Sequence, residues 1–312
     1  MENKFHDALL AKDPFTDILG LATTKEQLKS ALLMNRHVLI IGPPGVGKTT
    51  LAKNIARILP PVKGRSVEER FVRVQGSPDL TVEDLLGDID PIKALKFGPT
   101  SREAFTPGKI FKADQGILFF DELNRCPEKI QNALLQVLEE GKATIGTHTV
   151  DFPSNFVFIG TMNPEETAAT EKLSDVLMDR FDIIHMGYPE SEQIERDIIL
   201  AKGEKRNVTF APQLLQAAIL FVRALRSHKD VQKKPSVRAS LGLYERAQAN
   251  ALLRKAKTVT ADDIADAVVS VLSHRVELKP SVKYLQTTED FIAKEYAQFV
   301  QEHGELERGE GL

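Results

Sequence analysis

The chain has 312 residues, a formal net charge of −3, 42% hydrophobic and 27% charged residues. That is enough for one large or two modest domains of ordinary globular composition. The slightly acidic balance excludes a chain that is basic throughout, so contact with nucleic acid would need a local basic patch and is not expected. A single cysteine, Cys126, excludes an intramolecular disulfide and fits a reducing cytosol. The start, Met1-Glu2-Asn3-Lys4, has no charged-then-apolar leader pattern. No apolar run approaches the roughly 18–20 residues of a membrane span. A cytoplasmic protein without a membrane partner is the expectation. The seven histidines are scattered, which argues against a protein-ligated zinc site.

In chain order, the apolar run Val38–Ile41 predicts a buried strand. The loop Gly42-Pro43-Pro44-Gly45-Val46-Gly47-Lys48-Thr49 follows, and then a helical segment from Thr50 to Leu59. Strand, G-x-x-x-x-G-K-T, helix is the context of a phosphate-binding loop. Glycines let backbone N–H groups approach phosphate oxygens without Cβ clashes, and the following helix adds the positive end of its dipole. The loop through Thr50 therefore predicts a nucleoside triphosphate, ATP, with Mg2+. Lys48 would reach the β- and γ-phosphates, and Thr49 would place its hydroxyl on the metal.

Phe71–Val74 predicts a second strand, closed by Gln75, which could restrain Glu122 until a partner binds. Ile117–Phe120 predicts a third, ending in Asp121 and Glu122. Carboxylates leaving the C-terminal end of a buried strand stand where ligands bind in open α/β sheets. Asp121 can hold Mg2+, directly or through water, and Glu122 can orient and polarise the attacking water. Glu128–Glu140 has Ile130, Ala133, Leu134, Val137 and Leu138 on one face, with Pro127 suited to its first turn and Gly141 to its end. Phe156–Ile159 predicts a fourth strand, which delivers Asn163 of Asn163-Pro164 to the same edge, to position water or sense the γ-phosphate. Ile183–Met186 predicts a fifth. Alternating strands and helices imply a parallel five-stranded sheet covered on both faces.

After Tyr188-Pro189 the pattern becomes helical. Helices are expected over Ser191–Lys202, Pro212–Ser227, Ser236–Lys255 and Thr260–Ser273, with no strand between them. The expected division is an α/β nucleotide-binding domain over 1–188, an all-α domain over 189–280, and an extension over 281–312. Residues 289–300 could add one helix to the extension, whose charged end is expected to be disordered. The basic group Lys229 to Lys234 lacks aromatic interleaving and is expected to be a solvated loop.

The order GPPGVGKT, ILFFDELNR, FIGTMNP, LMDRFD, SVRASL resembles the AAA+ ATPases, and more narrowly the MoxR group and the small ATPase subunit of magnesium chelatase. The likeness runs over roughly residues 14–280. Asp13-Pro14-Phe15 with Ile18-Leu19-Gly20 is similar to the start of the chelatase subunit, and Arg73-Val74-Gln75 to Leu86-Gly87 to a MoxR stretch. The resemblance implies an ATPase working in an oligomeric ring, expected to be a hexamer of this chain, that remodels or activates a client protein. Such clients often carry a von Willebrand A domain. It implies that Arg180 is an arginine finger acting on the neighbouring subunit's ATP. It also implies that Arg238 is a sensor on the helical lid, in cis or in trans. Two insertions are implied to project near the ring pore: residues 88–111, with turn signals Gly98-Pro99 and Pro107-Gly108, and a β-hairpin over 142–152. Lys142 and His148 of that hairpin could contact a partner. The same motor serves an alternative reading, the ATPase of a chelatase-like metal-insertion complex. A nucleic-acid motor is the less favoured one.

Overall fold

The computed structural model describes residues 2–11, 13–98, 101–140, 142–145, 148–151, 156–164 and 172–308. The chain divides into two compact units: Met1–Pro43 with Gly47–Met186, and Pro44–Val46 with Gly187–Leu312.

The strands of the first unit are β1 (Val38–Ile41), β2 (Phe71–Gln75), β3 (Gly87–Ile89), β4 (Phe105–Pro107), β5 (Ile117–Asp121), β6 (Lys142–Ile145), β7 (His148–Asp151), β8 (Val157–Met162) and β9 (Asp182–His185). Five of them form one sheet in the order β2-β5-β8-β1-β9. All its pairings are parallel. Every residue of β1 and the first four of β5 are buried, as continuous apolar runs in a parallel sheet must be when both faces are covered. Leu39, Phe120 and Phe158 share one core cluster with Ile130, Leu134 and Val137 of the helix Glu128–Glu140. The Phe158 ring stacks on both Phe120 and Phe181.

The fourth strand lies further along than the apolar run Phe156–Ile159 suggests. It has neighbours on both sides: Val157–Gly160 pair with β5, and Ile159–Met162 with β1. The second ladder extends the strand past its apolar stretch through Thr161. The fifth strand, β9, shifts the other way, starting and ending one residue earlier than expected. β3 and β4 pair antiparallel around the helix Pro91–Phe97, within the first predicted insertion. β6 and β7 pair antiparallel from Lys142↔Asp151 to Ile145↔His148, which is a hairpin. Pro99, Gly141, Gly146, Thr147 and Phe152 fall outside the described residues.

The second unit is built from the helices Glu192–Lys202, Pro212–Ser227, Val237–Leu253, Ala261–Leu272 and Thr288–Arg308, the last with a break at His303. Ser191 and Ser236 cap the first and third through their hydroxyls. Thr260 and Asp263 form a capping box at the fourth. The unit is helical, as expected, with one short ladder added: β10 (Val231–Lys233) pairs antiparallel with β11 (Glu277–Leu278). Strands of three and two residues are too short to show an alternation, and their pairing joins segments far apart in sequence. The unit also runs past residue 280, because Phe291, Ile292 and Phe299 of the last helix are buried in its core. Among the described residues, no helix is long and apolar enough to cross a membrane.

Candidate active site

The loop 42–49 leaves the C-terminal end of β1 and enters the helix Lys48–Ile58, to which Thr49 and Thr50 belong. Gly45 and Gly47 have φ of 77° and 103°, values at which a Cβ is strained. The first turn of the helix carries no acidic residue, so its positive end is unopposed. Lys48 Nζ donates to the carbonyls of Gly42, at 2.5 Å, and Pro43, at 2.9 Å, which draws it over the loop. The Gly42 amide donates to Met162 O at 3.1 Å, which ties the start of the loop to the end of β8.

β5, β8 and β1 are consecutive neighbours, so their C-terminal ends bring three predicted groups to one edge. Asp121 and Glu122 leave β5, Asn163 directly follows β8, and the loop leaves β1. The two carboxylates are held by partners that the motifs do not reveal. Thr161 Oγ1 donates to Asp121 Oδ1 at 2.7 Å and accepts the Glu122 amide at 3.0 Å. Arg73 donates one Nη to Asp121 Oδ2 at 2.6 Å and to Gln75 Oε1 at 3.1 Å. Gln75 Nε2 donates to Glu122 Oε2 at 2.9 Å, so the contact anticipated for Gln75 is present. Arg125 reaches the same oxygen at 3.2 Å.

Glu122 itself is left-handed, with φ 57° and ψ 53°. That conformation costs a non-glycine residue about 1–3 kcal/mol and concentrates at functional sites. It turns the chain sharply out of β5 and presents the carboxylate at the edge. Gly76 packs against this turn: its amide donates to Asp121 O at 2.7 Å. A Cβ there would stand 2.1 Å from Glu122 O.

Thr161, Arg73 and Arg125 were not singled out from the sequence. A buried threonine inside an apolar strand must find a partner, and that was the available signal. Arg73 and Gln75 alternate with the buried Val74 on the edge strand, which sets both on one face.

The two predicted arginines stand elsewhere. Asp182 of β9 is level with Val38 at the start of β1, and Arg180 precedes it by two residues. Arg180 is thus at the opposite edge of the sheet from its own loop, at least about 10 Å away by strand rise. Its guanidinium pairs with Glu139, in the last turn of Glu128–Glu140, rather than with Asp179 or Asp182. Arg238 belongs to the second unit, in the first turn of Val237–Leu253, and Ser236 Oγ accepts its amide at 3.3 Å. A buried network fixes that helix start. Glu195, fully buried, takes both Nη atoms of Arg226 at 2.6 Å and the Ser240 hydroxyl at 2.5 Å. Arg226 Nε donates to Pro235 O at 2.8 Å.

A strand-loop-helix anion site beside a strand-end carboxylate pair, on a parallel sheet of this order, defines a P-loop nucleoside triphosphatase. Residues 37–183 match the model of the ATPase family associated with various cellular activities (AAA), and residues 223–295 that of the AAA lid domain. The chain is 32% identical over 289 residues to the uncharacterized protein YeaC of Bacillus subtilis, covering 85% of each. It is 30% identical to the chaperone MoxR1 of Mycobacterium tuberculosis, over 84% of this chain and 73% of that one. It is 27% identical to the chloroplastic magnesium-chelatase subunit ChlI of Glycine max, over 86% of this chain and 75% of that one. The chain belongs to the AAA+ ATPases, in the group of the MoxR proteins and the magnesium-chelatase ATPase subunits, and its reaction is the hydrolysis of ATP.

Proposed function

We propose that the chain is a MoxR-like motor: a ring, hexameric by family likeness, that spends ATP to remodel or activate a client protein in the cytoplasm. The observation that carries this reading is the division of the site. The loop, Asp121, Glu122 and Asn163 share one sheet edge, whereas Arg180 stands at the other, out of reach of its own loop. A finger so placed serves a neighbouring copy. The likeness to a protein named a chaperone supports the client class. A client with a von Willebrand A domain is the narrower proposal.

The donor set fits Mg2+ with a nucleotide. Thr49 and Asp121 offer hard oxygens, and no cluster of three His, Cys, Asp or Glu occurs among the described residues. Mg2+ commonly takes only one or two protein oxygens and completes its shell with phosphate and water. When bound, it would neutralise charge on the phosphate oxygens. Lys48 exchanges the Gly42 and Pro43 carbonyls for phosphate oxygens. Glu122, once free of Gln75, takes the proton of the attacking water, and Asn163 orients that water or reads the γ-phosphate. Arg180 of one copy stabilises charge in the site of the next, and Arg238 ties nucleotide state to the lid.

The test is specific ATPase activity against protein concentration. A site completed in trans loses specific activity on dilution, and turnover that is independent of concentration would sink the ring reading. Lys48→Ala should abolish nucleotide binding. A pull-down with Glu122→Gln in ATP should trap the client. The second reading, motor of a chelatase-like metal-insertion complex, is favoured by the likeness to ChlI and differs only in what the pull-down retains.

A further inference from the structure

We propose that Arg73 is a positioning residue that couples arrival of a divalent cation at Asp121 to release of Glu122. The inference rests on the reading of Asp121 and Glu122 given above and assigns the site a further member.

One Nη of Arg73 serves two acceptors, Asp121 Oδ2 at 2.6 Å and Gln75 Oε1 at 3.1 Å. Both contacts have consequences. The first puts a full positive charge on the carboxylate oxygen that Thr161 leaves available, since Thr161 takes Oδ1. A cation that binds Asp121 competes with Arg73 for that oxygen. The second occupies the carbonyl oxygen of the Gln75 amide. An amide has one acceptor end and one donor end, so fixing the oxygen toward Arg73 turns the NH2 group toward Glu122, which it meets at 2.9 Å.

The chain of contacts is therefore directional. With Arg73 on Asp121, Gln75 is oriented and Glu122 is held. With Arg73 drawn off by a cation, the amide loses the donor that orients it, and Glu122 is restrained by Arg125 alone. The geometry suits exchange: Arg73 lies on the edge strand β2 with a half-exposed side chain, while Asp121 is mostly covered, at 52% and 15%. An ion pair with one solvated partner is weak, and a divalent cation displaces it readily. The coupling prevents Glu122 from activating water before the nucleotide's metal is in place.

The test uses the full-length chain and a fluorescent ATP analogue titrated with Mg2+ at equilibrium, which reads binding without turnover. Arg73→Met should lower the half-saturating Mg2+ concentration about two- to fivefold, the range set by the strength of an exposed pair. Arg73→Lys, which keeps the charge, should restore most of the shift. Arg73→Gln is the second neutral variant should methionine disturb the edge strand. The midpoint shift caused by Arg73→Met should shrink in the Gln75→Ala background, because the Gln75 carbonyl oxygen helps to hold Arg73 on Asp121. An unchanged Mg2+ midpoint in both neutral variants overturns the proposal. So does a midpoint shift that adds independently to that of Gln75→Ala. Lys48→Ala separates the two levels: loss of analogue binding in it leaves the ATPase reading standing even if Arg73 fails.

Discussion

Two carboxylate–guanidinium contacts in this chain have the same chemistry and opposite settings. At the end of β5, Asp121 and Arg73 pair with side-chain exposures of 15% and 52%. In the second unit, Glu195 and Arg226 pair at 0% and 7%, through two parallel hydrogen bonds, with Ser240 and Pro235 O taking up further valences. The first pair sits in water's reach and can trade partners. The second has been withdrawn from water, where breaking it strands a buried charge, and Arg223 adds a longer contact to Glu195 at 3.5 Å. The difference separates a working contact from a fixed one. The nucleotide edge is assembled from exchangeable pairs, while the helix that presents Arg238 starts on a locked one.

The sharpest way to break that distinction is at Glu122. It is held by partners it must leave, so Glu122→Gln should lower ATP turnover by about 10²–10⁴-fold, the usual worth of a positioned general base. Nucleotide affinity and thermal stability should be nearly unchanged. A large loss of stability in this variant would place the β5 edge with the fixed contacts. Next in size is the lid pair. Glu195→Met leaves the Arg226 charge buried without its carboxylate and should cost about 3–5 kcal/mol, and Arg226→Met, which leaves Glu195 the Ser240 hydroxyl and the longer Arg223 contact, should cost less. Hydrogen exchange confined to the second unit, or urea denaturation, reads it. Replacing both with methionine should restore most of that stability, because the penalty belongs to the orphaned charge. If the double variant is as unstable as the singles, packing against Tyr188 and the Pro235 carbonyl, and not the charge pair, holds the helix start.

The sequence was most readable where function is performed by local backbone geometry. The loop 42–49 and the Asp121-Glu122 strand end carry their chemistry in consecutive residues, and the sheet follows from runs such as Val38–Ile41. It was least readable where function depends on contacts between strands. Thr161 meets Asp121 across 40 positions and Arg73 meets it across 48, and no local pattern encodes such a meeting. Gln75 closes a strand beside β5 and so lies near Glu122, but the side of its amide that faces Glu122 is set by Arg73, which no local pattern marks. β10 and β11 escaped for a related reason: two very short pieces pair only because the helices between them bring them together. Arg180 likewise pairs at long range, with Glu139 of the helix Glu128–Glu140, 41 positions away.

The smallest effect tests the two units through pH. His37 is a third kind of titratable group, partly buried and kept neutral instead of paired. Its Nδ1 accepts the Phe158 amide at 3.2 Å, and its ring stacks on Phe156. Burial, with help from the Arg36 charge, holds its pKa down from 6.5 to about 4. The unfolded chain therefore binds this proton at higher pH than the folded one. The contribution of His37 to stability is complete above pH 6.5 and is lost as pH falls toward 4, to a total of about 3 kcal/mol. In the second unit the counterpart is Asp263, held below its usual 3.8 chiefly by its hydrogen bond from Arg254. That contribution is present above 3.8 and declines only below it. Between pH 6.5 and 4 the first unit should therefore weaken while the second does not. Hydrogen exchange at pH 7 and pH 4.5 should show the strands β1 and β8 losing protection relative to the helices Val237–Leu253 and Ala261–Leu272. His37→Gln, which cannot titrate, should remove that difference. Equal loss in both units, or a difference that survives in His37→Gln, would assign the acid sensitivity to some other group.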